Sequence, residues 1–303
     1  MPRHRARLQP HLLPTKMTIP MSLRRLAENL SRRVVLRRRL PARFKHLPIY
    51  VTPEAGLRYW GPMSKIDTVL YDMAEELVKP GSVVWDVGAN VGLFSFCAAA
   101  LTGNAGYVLS VEPDFWLAHL MTRSCRTLPH GRCGQVEVLC ASISDSNRIS
   151  KLEIAERARA SNHLIEAVGS TQAKGTRGAQ PSISLTLDFL LDYFPAPSVL
   201  KIDVETHEAS VLRGAARLLR EARPAIWCEV SHENSPEVTE LLHTAGYDFM
   251  EPRRARTRES IKRGFTPWRF QQLAPSRLDT VLIPFSIFIS GAGDLLHFLH
   301  RNS

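Results

Sequence analysis

The stretch Ser82-Val83-Val84-Trp85-Asp86-Val87-Gly88-Ala89-Asn90-Val91-Gly92-Leu93-Phe94-Ser95 decides the fold. Its first part, SVVWDV, is a short apolar run rich in β-branched residues, which reads as a buried strand. Its last part runs on as LFSFCAAALTG to Gly103 and reads as a helix. Two glycines separate them. Gly88 permits positive φ or a close backbone approach, and Gly92 lets the helix pack near the strand. Such a strand–turn–helix unit aims the N–H groups of a helix N-terminus at a ligand.

Working outward, the same alternation recurs. YVLSVEPD (107–114) reads as a strand, FWLAHLMTRSCRTL (115–128) as a helix and VEVLCASISD (136–145) as a strand. Further on, SVLKIDVE (198–205) is a strand, HEASVLRGAARLLREA (207–222) a helix and PAIWCEVS (224–231) a strand. SPEVTELLHTAGYDFM (235–250) is a helix running into a strand, and DTVLIPFSI (279–287) is a last strand. Upstream, IDTVLYDMAEELVK (66–79) carries a helical apolar stripe stopped by Pro80-Gly81. The pattern predicts an α/β fold, a mostly parallel seven-stranded sheet with helices on both faces. Residues 146–182 break it. They are polar and glycine-containing, and read as a hairpin and mobile loop inserted into the wound sheet, a place for a lid or binding loop. The domain is expected over 46–290, with a tail at 291–303.

The chain has 303 residues and a net charge of +10, but the charge is uneven. Residues 1–45 hold 13 Lys/Arg and one acid, Glu28, so the body carries a net −2. The basic pI therefore describes an extension and does not mark the body as a nucleic-acid binder. Within the extension, Leu23, Leu26, Leu30 and Val34 recur at helical spacing among arginines. Residues 21–40 thus fit a basic amphipathic helix in weak contact with an anionic membrane surface, a targeting or nucleic-acid segment, or simply a solvated extension. Five cysteines without CxxC spacing read as buried reduced thiols and favour a reducing, cytoplasmic setting. Neither an apolar span of membrane length nor a secretory signal is evident.

The chemistry gathers at strand ends. Glu112 ends the second strand, 20 residues after Gly92, where an acid accepts ribose hydroxyls. Asp86 precedes the glycines. A carboxylate there repels a dinucleotide's phosphates and suits the amino group of an amino acid. The combination favours an adenosyl amino acid over NAD.

VVWDVGANVGLFS, VLSVEPD, VLKIDVETHEASVLRGAARLL and PAIWCEV together resemble the FkbM-type methyltransferases, over roughly residues 50–285. The resemblance implies the Rossmann-like methyltransferase fold, S-adenosyl-L-methionine as cofactor, and a hydroxyl acceptor on a sugar, glycolipid or secondary metabolite. It places Asp86, Gly88, Asn90 and Gly92 along the methionine end of the cofactor, Glu112 at the ribose, and Ser142 and Asp145 near the adenine. Asp203 and Glu205 end the fourth strand at the sheet's switch point. The family pattern has Gly where this chain has Thr206, and a β-branched residue adopts positive φ only at a cost.

An alcohol must lose its proton as it attacks a methyl group, and a positioned base supplies about 10²–10⁴-fold of rate. Asp203, Glu205, His207 and Glu229 are the candidates, with His232 behind them. Each has a plainer reading: Asp203 as a helix cap, His207 as a solvated helix-start residue, and Glu208 as helix-start electrostatics. The carboxylates Asp203, Glu205, Glu208 and Glu229 show no fixed ligand spacing, so no metal is assigned. Ser161-Asn162-His163 reads either as a substrate contact or as a hairpin turn. Arg253, Arg254, Arg256 and Arg258 read either as a face for an acidic acceptor or as a solvated surface. Two other functions compete: an NAD(P)-dependent oxidoreductase on the same fold, and a non-catalytic membrane-surface adaptor. The partners expected are a small-molecule or glycan hydroxyl acceptor and no nucleic acid.

Overall fold

The structure, a computed structural model, describes residues 30–155, 159, 162–164, 176–230, 234–254, 268–273 and 285–291. It opens with a hairpin, β1 (Leu36–Arg39) and β2 (Pro48–Val51), paired antiparallel. Helix α1 (Thr68–Leu77) follows, its N-cap Asp67 accepting the Leu70 N–H, its Leu70, Tyr71, Met73, Ala74 and Leu77 buried. Then come β3 (Val83–Val87), α2 (Leu93–Thr102), β4 (Tyr107–Val111), α3 (Phe115–Cys125) and β5 (Gln135–Leu139). The insert contains β6 (Ser142–Ile143), β7 (Arg148–Ala155), β8 (His163–Leu164) and β9 (Thr176–Leu185). The wound pattern resumes with α4 (Leu187–Leu190), β10 (Val199–Ile202), α5 (Glu208–Arg213), α6 (Ala216–Glu221), β11 (Ala225–Val230) and α7 (Ser235–Thr244). It closes with β12 (Tyr247–Arg254), β13 (Trp268–Leu273) and β14 (Phe285–Gly291).

The main sheet runs β13-β12-β14-β11-β10-β3-β4-β5. Strands β11, β10, β3, β4 and β5 are mutually parallel; β14 joins β11 antiparallel. Successive residues feed two cores, because both faces of a parallel sheet are covered. Val84, Val108 and Val199 enter one core with Phe94 and Phe96. Trp85, Leu109 and Leu200 enter the other with Val211 and Leu218. The crossover from β5 to β10 carries the insert, a second sheet of order β6-β9-β7-β8. A buried seam of hydroxyls crosses it: Ser142 Oγ lies 2.7 Å from Ser184 Oγ, which donates to Ser150 Oγ at 2.8 Å.

Three sequence expectations change. Among the described residues the main sheet has eight strands, not seven; the additional one, β13, lies in a stretch where no strand is expected and pairs with β12. The stretch 136–145 is two strands, and β6 leaves the main sheet to pair with β9, so the insert's sheet reaches Leu185. The helix expected over residues 21–40 does not reach residue 40. Residues 36–39 are a strand, and Leu40 and Phe44 are fully buried. Arg38 explains this: its guanidinium donates to the carbonyls of Tyr59, Trp60 and Gly61, an acceptor set that a local helix cannot offer. The rest of the expected helix, residues 21–29, lies outside the described residues.

Candidate active site

Strands β3, β4, β10 and β11 end on one cleft of about 440 Å³, within the usual range for a small-molecule site. The loop after β3 is its floor. Gly88 has φ +76, and a Cβ there would sit 1.9 Å from the Asp203 carbonyl oxygen, so only glycine lets the two strand-end loops touch. The Gly88 and Ala89 N–H groups both donate to the Val111 carbonyl, which ties this loop to β4. Asn90 also takes positive φ, which its short polar side chain tolerates.

Glu112 stands on the cleft wall, nearly buried. One oxygen accepts the Asn90 N–H at 2.7 Å and the other the Asp114 N–H at 2.9 Å. Each keeps a lone pair for a further donor, such as a sugar hydroxyl. Burial pushes this carboxyl up to about 8, against the two N–H groups that favour its charged form.

Asp203, Glu205, His207 and Glu229 all border the same cleft. Burial, reinforced by the charges of Asp203, Glu229 and Glu208, raises Glu205 to about 8. The Asp203 charge, above all, raises Glu229 to about 7. His207 is buried at the N-terminus of α5, with Nε2 3.1 Å from Ser144 Oγ, and is not the solvated residue of the plainer reading. Ser142 borders the cleft while its hydroxyl belongs to the serine seam.

Three expected cofactor contacts are corrected. Asp86 is fully buried behind the cleft wall; it accepts the Ser95 hydroxyl at 2.6 Å and pairs with Lys201 at 3.1 Å, so it holds protein and not a ligand amino group. Gly92 serves packing, since a Cβ on it would meet the Phe96 ring at 2.7 Å. Asp145 lies away from the cleft. Its hydrogen bond from Arg148, with further help from Arg213, holds the carboxyl down at about 2.

Sequence reasoning missed Lys201. Its buried ammonium lies 3.1 Å from Asp86 and 3.2 Å from Asp203 and donates to the Gly88 carbonyl at 3.4 Å. Burial alone would lower it, but the Asp203 and Asp86 carboxylates outweigh burial and raise it. One cation thus joins the glycine loop to the end of β10. A lysine inside the apolar run VLKIDV was the available signal. Arg58 and Asp67, paired at 3.1 Å, and Trp227 also line the cleft and were missed.

The insert supplies the remaining wall. Arg159 Nη1 donates to Asp114 Oδ2 at 2.5 Å and Asn162 Nδ2 to the same oxygen at 2.7 Å. Asp114 Oδ1 meanwhile caps α3. Glu208 accepts from the Thr206 N–H and from Asn234, which accounts for it structurally. Ser161, His232, Arg256 and Arg258 lie outside the described residues; His163 is placed in β8, and Arg253 and Arg254 in β12. Among the described residues, no group of three or more side chains is arranged to hold a metal.

The charges select a ligand. Each cation lining the cleft is already paired: Arg58 with Asp67, Lys201 with Asp203, and Arg159 with Glu54 and Asp114. None is left over to hold a diphosphate, whereas Glu112 and its neighbouring carboxyls suit a ribose and a cationic sulfonium. A doubly wound sheet with this loop and this acid is Rossmann-like, and the residues lining the cleft fit S-adenosyl-L-methionine. The family described as the methyltransferase FkbM domain matches residues 86–249, and the chain belongs to it. The NAD(P) oxidoreductase and adaptor readings fall with that match.

Among curated proteins, the chain is 28% identical over 177 residues to the hexuronic acid methyltransferase AglP of Haloferax volcanii, covering 58% of this chain and 66% of that protein. Among solved structures, it is similar to the methyltransferase FkbM from Methylobacillus flagellatus KT, at 15% identity and TM-score 0.42, covering 72% of this chain and 50% of the other. It is also similar to Aeropyrum pernix fibrillarin with natively bound S-adenosyl-L-methionine, at 12% identity and TM-score 0.39, covering 74% of each chain. The chain therefore spans just under two thirds of that curated relative and half of the first solved one.

Proposed function

We propose that this protein is an O-methyltransferase acting on a hydroxyl oxygen of a sugar, glycolipid or secondary metabolite, with an acidic sugar as the leading acceptor. The observation that carries methyl transfer to a hydroxyl is the single cleft lined by Glu112, for the cofactor's ribose, and by Asp203, Glu205 and Glu229, among which a base can stand. The name of the hexuronic acid methyltransferase supports the choice of sugar.

S-adenosyl-L-methionine, when bound, supplies a methyl group already activated on a sulfonium. Glu112 would accept the ribose hydroxyls, and the Gly88–Asn90 loop would support the methionine part. Lys201 fixes the Asp203 carboxylate, so that the carboxylates keep their place as the sulfonium charge is neutralised. Glu229 is the favoured base. It borders the cleft, and an acidity near 7 lets it be ionised at neutral pH yet basic enough to take the acceptor's proton. Glu205 stands beside it as the second candidate. A cytoplasmic location is part of the proposal, in keeping with five free cysteines. Weak contact of residues 21–40 with an anionic membrane surface would bring a glycolipid acceptor within reach.

The test is transfer of labelled methyl to glucuronate-containing acceptors. An alkali-stable ether product is expected; an alkali-labile ester would move the reaction to the carboxyl group. In Glu229→Gln, kcat should fall by about 10²–10⁴-fold and the limb near pH 7 should vanish. The affinity for S-adenosylhomocysteine should stay within about twofold. An unchanged kcat would remove Glu229 from the role and hand the assay to Glu205→Gln.

A further inference from the structure

A second cavity, of about 620 Å³, adjoins the cleft, and arginines dominate its rim. Arg32, Arg33, Arg159 and Arg177 border it, together with Glu54 and Trp116. Glu54 is buried and already committed: Arg159 Nε approaches it at 3.1 Å, Arg177 pairs with it, and the Arg33 N–H donates to it at 3.3 Å. Asp114 takes the other side of Arg159 but is also held by Asn162 and by the cap of α3. Four guanidinium groups therefore face two carboxylates. Among the described residues, the side chains of Arg32 and Arg33 make no hydrogen bond or ion pair, and the buried Trp116 Nε1 has no acceptor. Holding Glu54 in place requires one cation or two, not four.

We infer that this cavity is an oxyanion site that takes a carboxylate or phosphate group. Guanidinium forks match both anions in shape and charge. The two excess positive charges balance one phosphate dianion. The cations of the cleft are already paired with carboxylates, so a ligand spanning both would be oriented with its anionic part in the cavity. Arg159 belongs to both walls and would sense occupancy of either. The inference deepens the acidic-acceptor reading, on which it rests for the acceptor's identity; the site itself is tested without turnover.

The experiment is calorimetric titration of the full chain, loaded with S-adenosylhomocysteine, at low ionic strength. Inorganic phosphate and glucuronate are the probes, and glucose is the neutral control. Phosphate and glucuronate should bind and glucose should not. Arg177→Gln, and the pair Arg32→Gln with Arg33→Gln, should each weaken binding about tenfold or more. Arg123→Gln is the distal control. That side chain lies over the Tyr50 ring on α3, borders neither cavity, and should leave anion binding unchanged. Absence of phosphate and glucuronate binding overturns the inference. So does binding indifferent to the cavity variants, or weakened equally by Arg123→Gln. Competition between phosphate and the acceptor in the methyl-transfer assay would identify the acceptor's own acidic group as the occupant; binding without competition would identify free phosphate. Either result keeps the site. S-adenosylhomocysteine affinity, measured in parallel, isolates a failure of the methyltransferase reading from a failure of the cavity.

Discussion

Thr206 holds the turn after Glu205 at φ 65, a region that β-branched residues occupy at a cost of about 1–3 kcal/mol. Its N–H donates to Glu208 Oε1 at 3.0 Å, and the other Glu208 oxygen accepts from Asn234 at 2.9 Å, which keeps the turn closed. Its own buried hydroxyl has no partner among the described residues. Thr206→Gly should therefore raise stability by about 1 kcal/mol, after allowance for the extra freedom of glycine in the unfolded chain. Urea unfolding measures this, and a lowered midpoint would contradict the strain. The cost of threonine here was legible from the sequence, since the residue type alone limits φ. Lys201 was not, because only the register that sets it opposite Asp86 turns an awkward lysine in a strand into an ion pair. Asp86 and Gly92 were misread for the converse reason. A glycine motif gives spacing, but burial decides which of its members face the ligand.

At the scale of elements, the insert is fastened where α3 begins. Asp114 caps α3 with one oxygen and holds Arg159 and Asn162 with the other, so one side chain serves a helix and a cleft wall. Asp114→Ala should cost about 1 kcal/mol for the cap alone. It should also weaken S-adenosylhomocysteine binding several-fold, because Arg159 and Asn162 lose their shared acceptor. Chemical denaturation and calorimetry together check this, and unchanged cofactor affinity would detach the insert from the site. The hairpin within the insert was legible from its alternating piece KLEIA; the departure of β6 from the main sheet was not, since the residues around Ala141 give no local break signal. The β1–β2 hairpin was hidden for a different reason. A run of arginines reads as solvated until the carbonyls of residues 59–61 are known to receive one of them.

For the whole molecule, the raised carboxyls predict how stability follows pH. Glu112 and Glu205 near 8, and Glu229 near 7, all lie above the ordinary value of 4.5. Each binds its proton more tightly when folded, so its stabilising contribution is complete below about 4.5 and is lost as pH rises through 7–8. The melting temperature without cofactor should fall from pH 6 to pH 9, and Glu112→Gln should flatten that fall; a flat wild-type profile would refute it. Strands β3, β4, β10 and β11 were legible, because strands covered on both faces are written as apolar runs. The edge strand β13 is defined by its backbone pairing with β12. The insert's second sheet has a last consequence. Its entry and exit strands lie side by side, with Ser142 paired to Ser184 and the Ser144 N–H bonded to the Leu185 carbonyl. The chain therefore leaves and re-enters the main sheet at nearly one point, so the length of the loops between these strands can change without displacing β5 or β10.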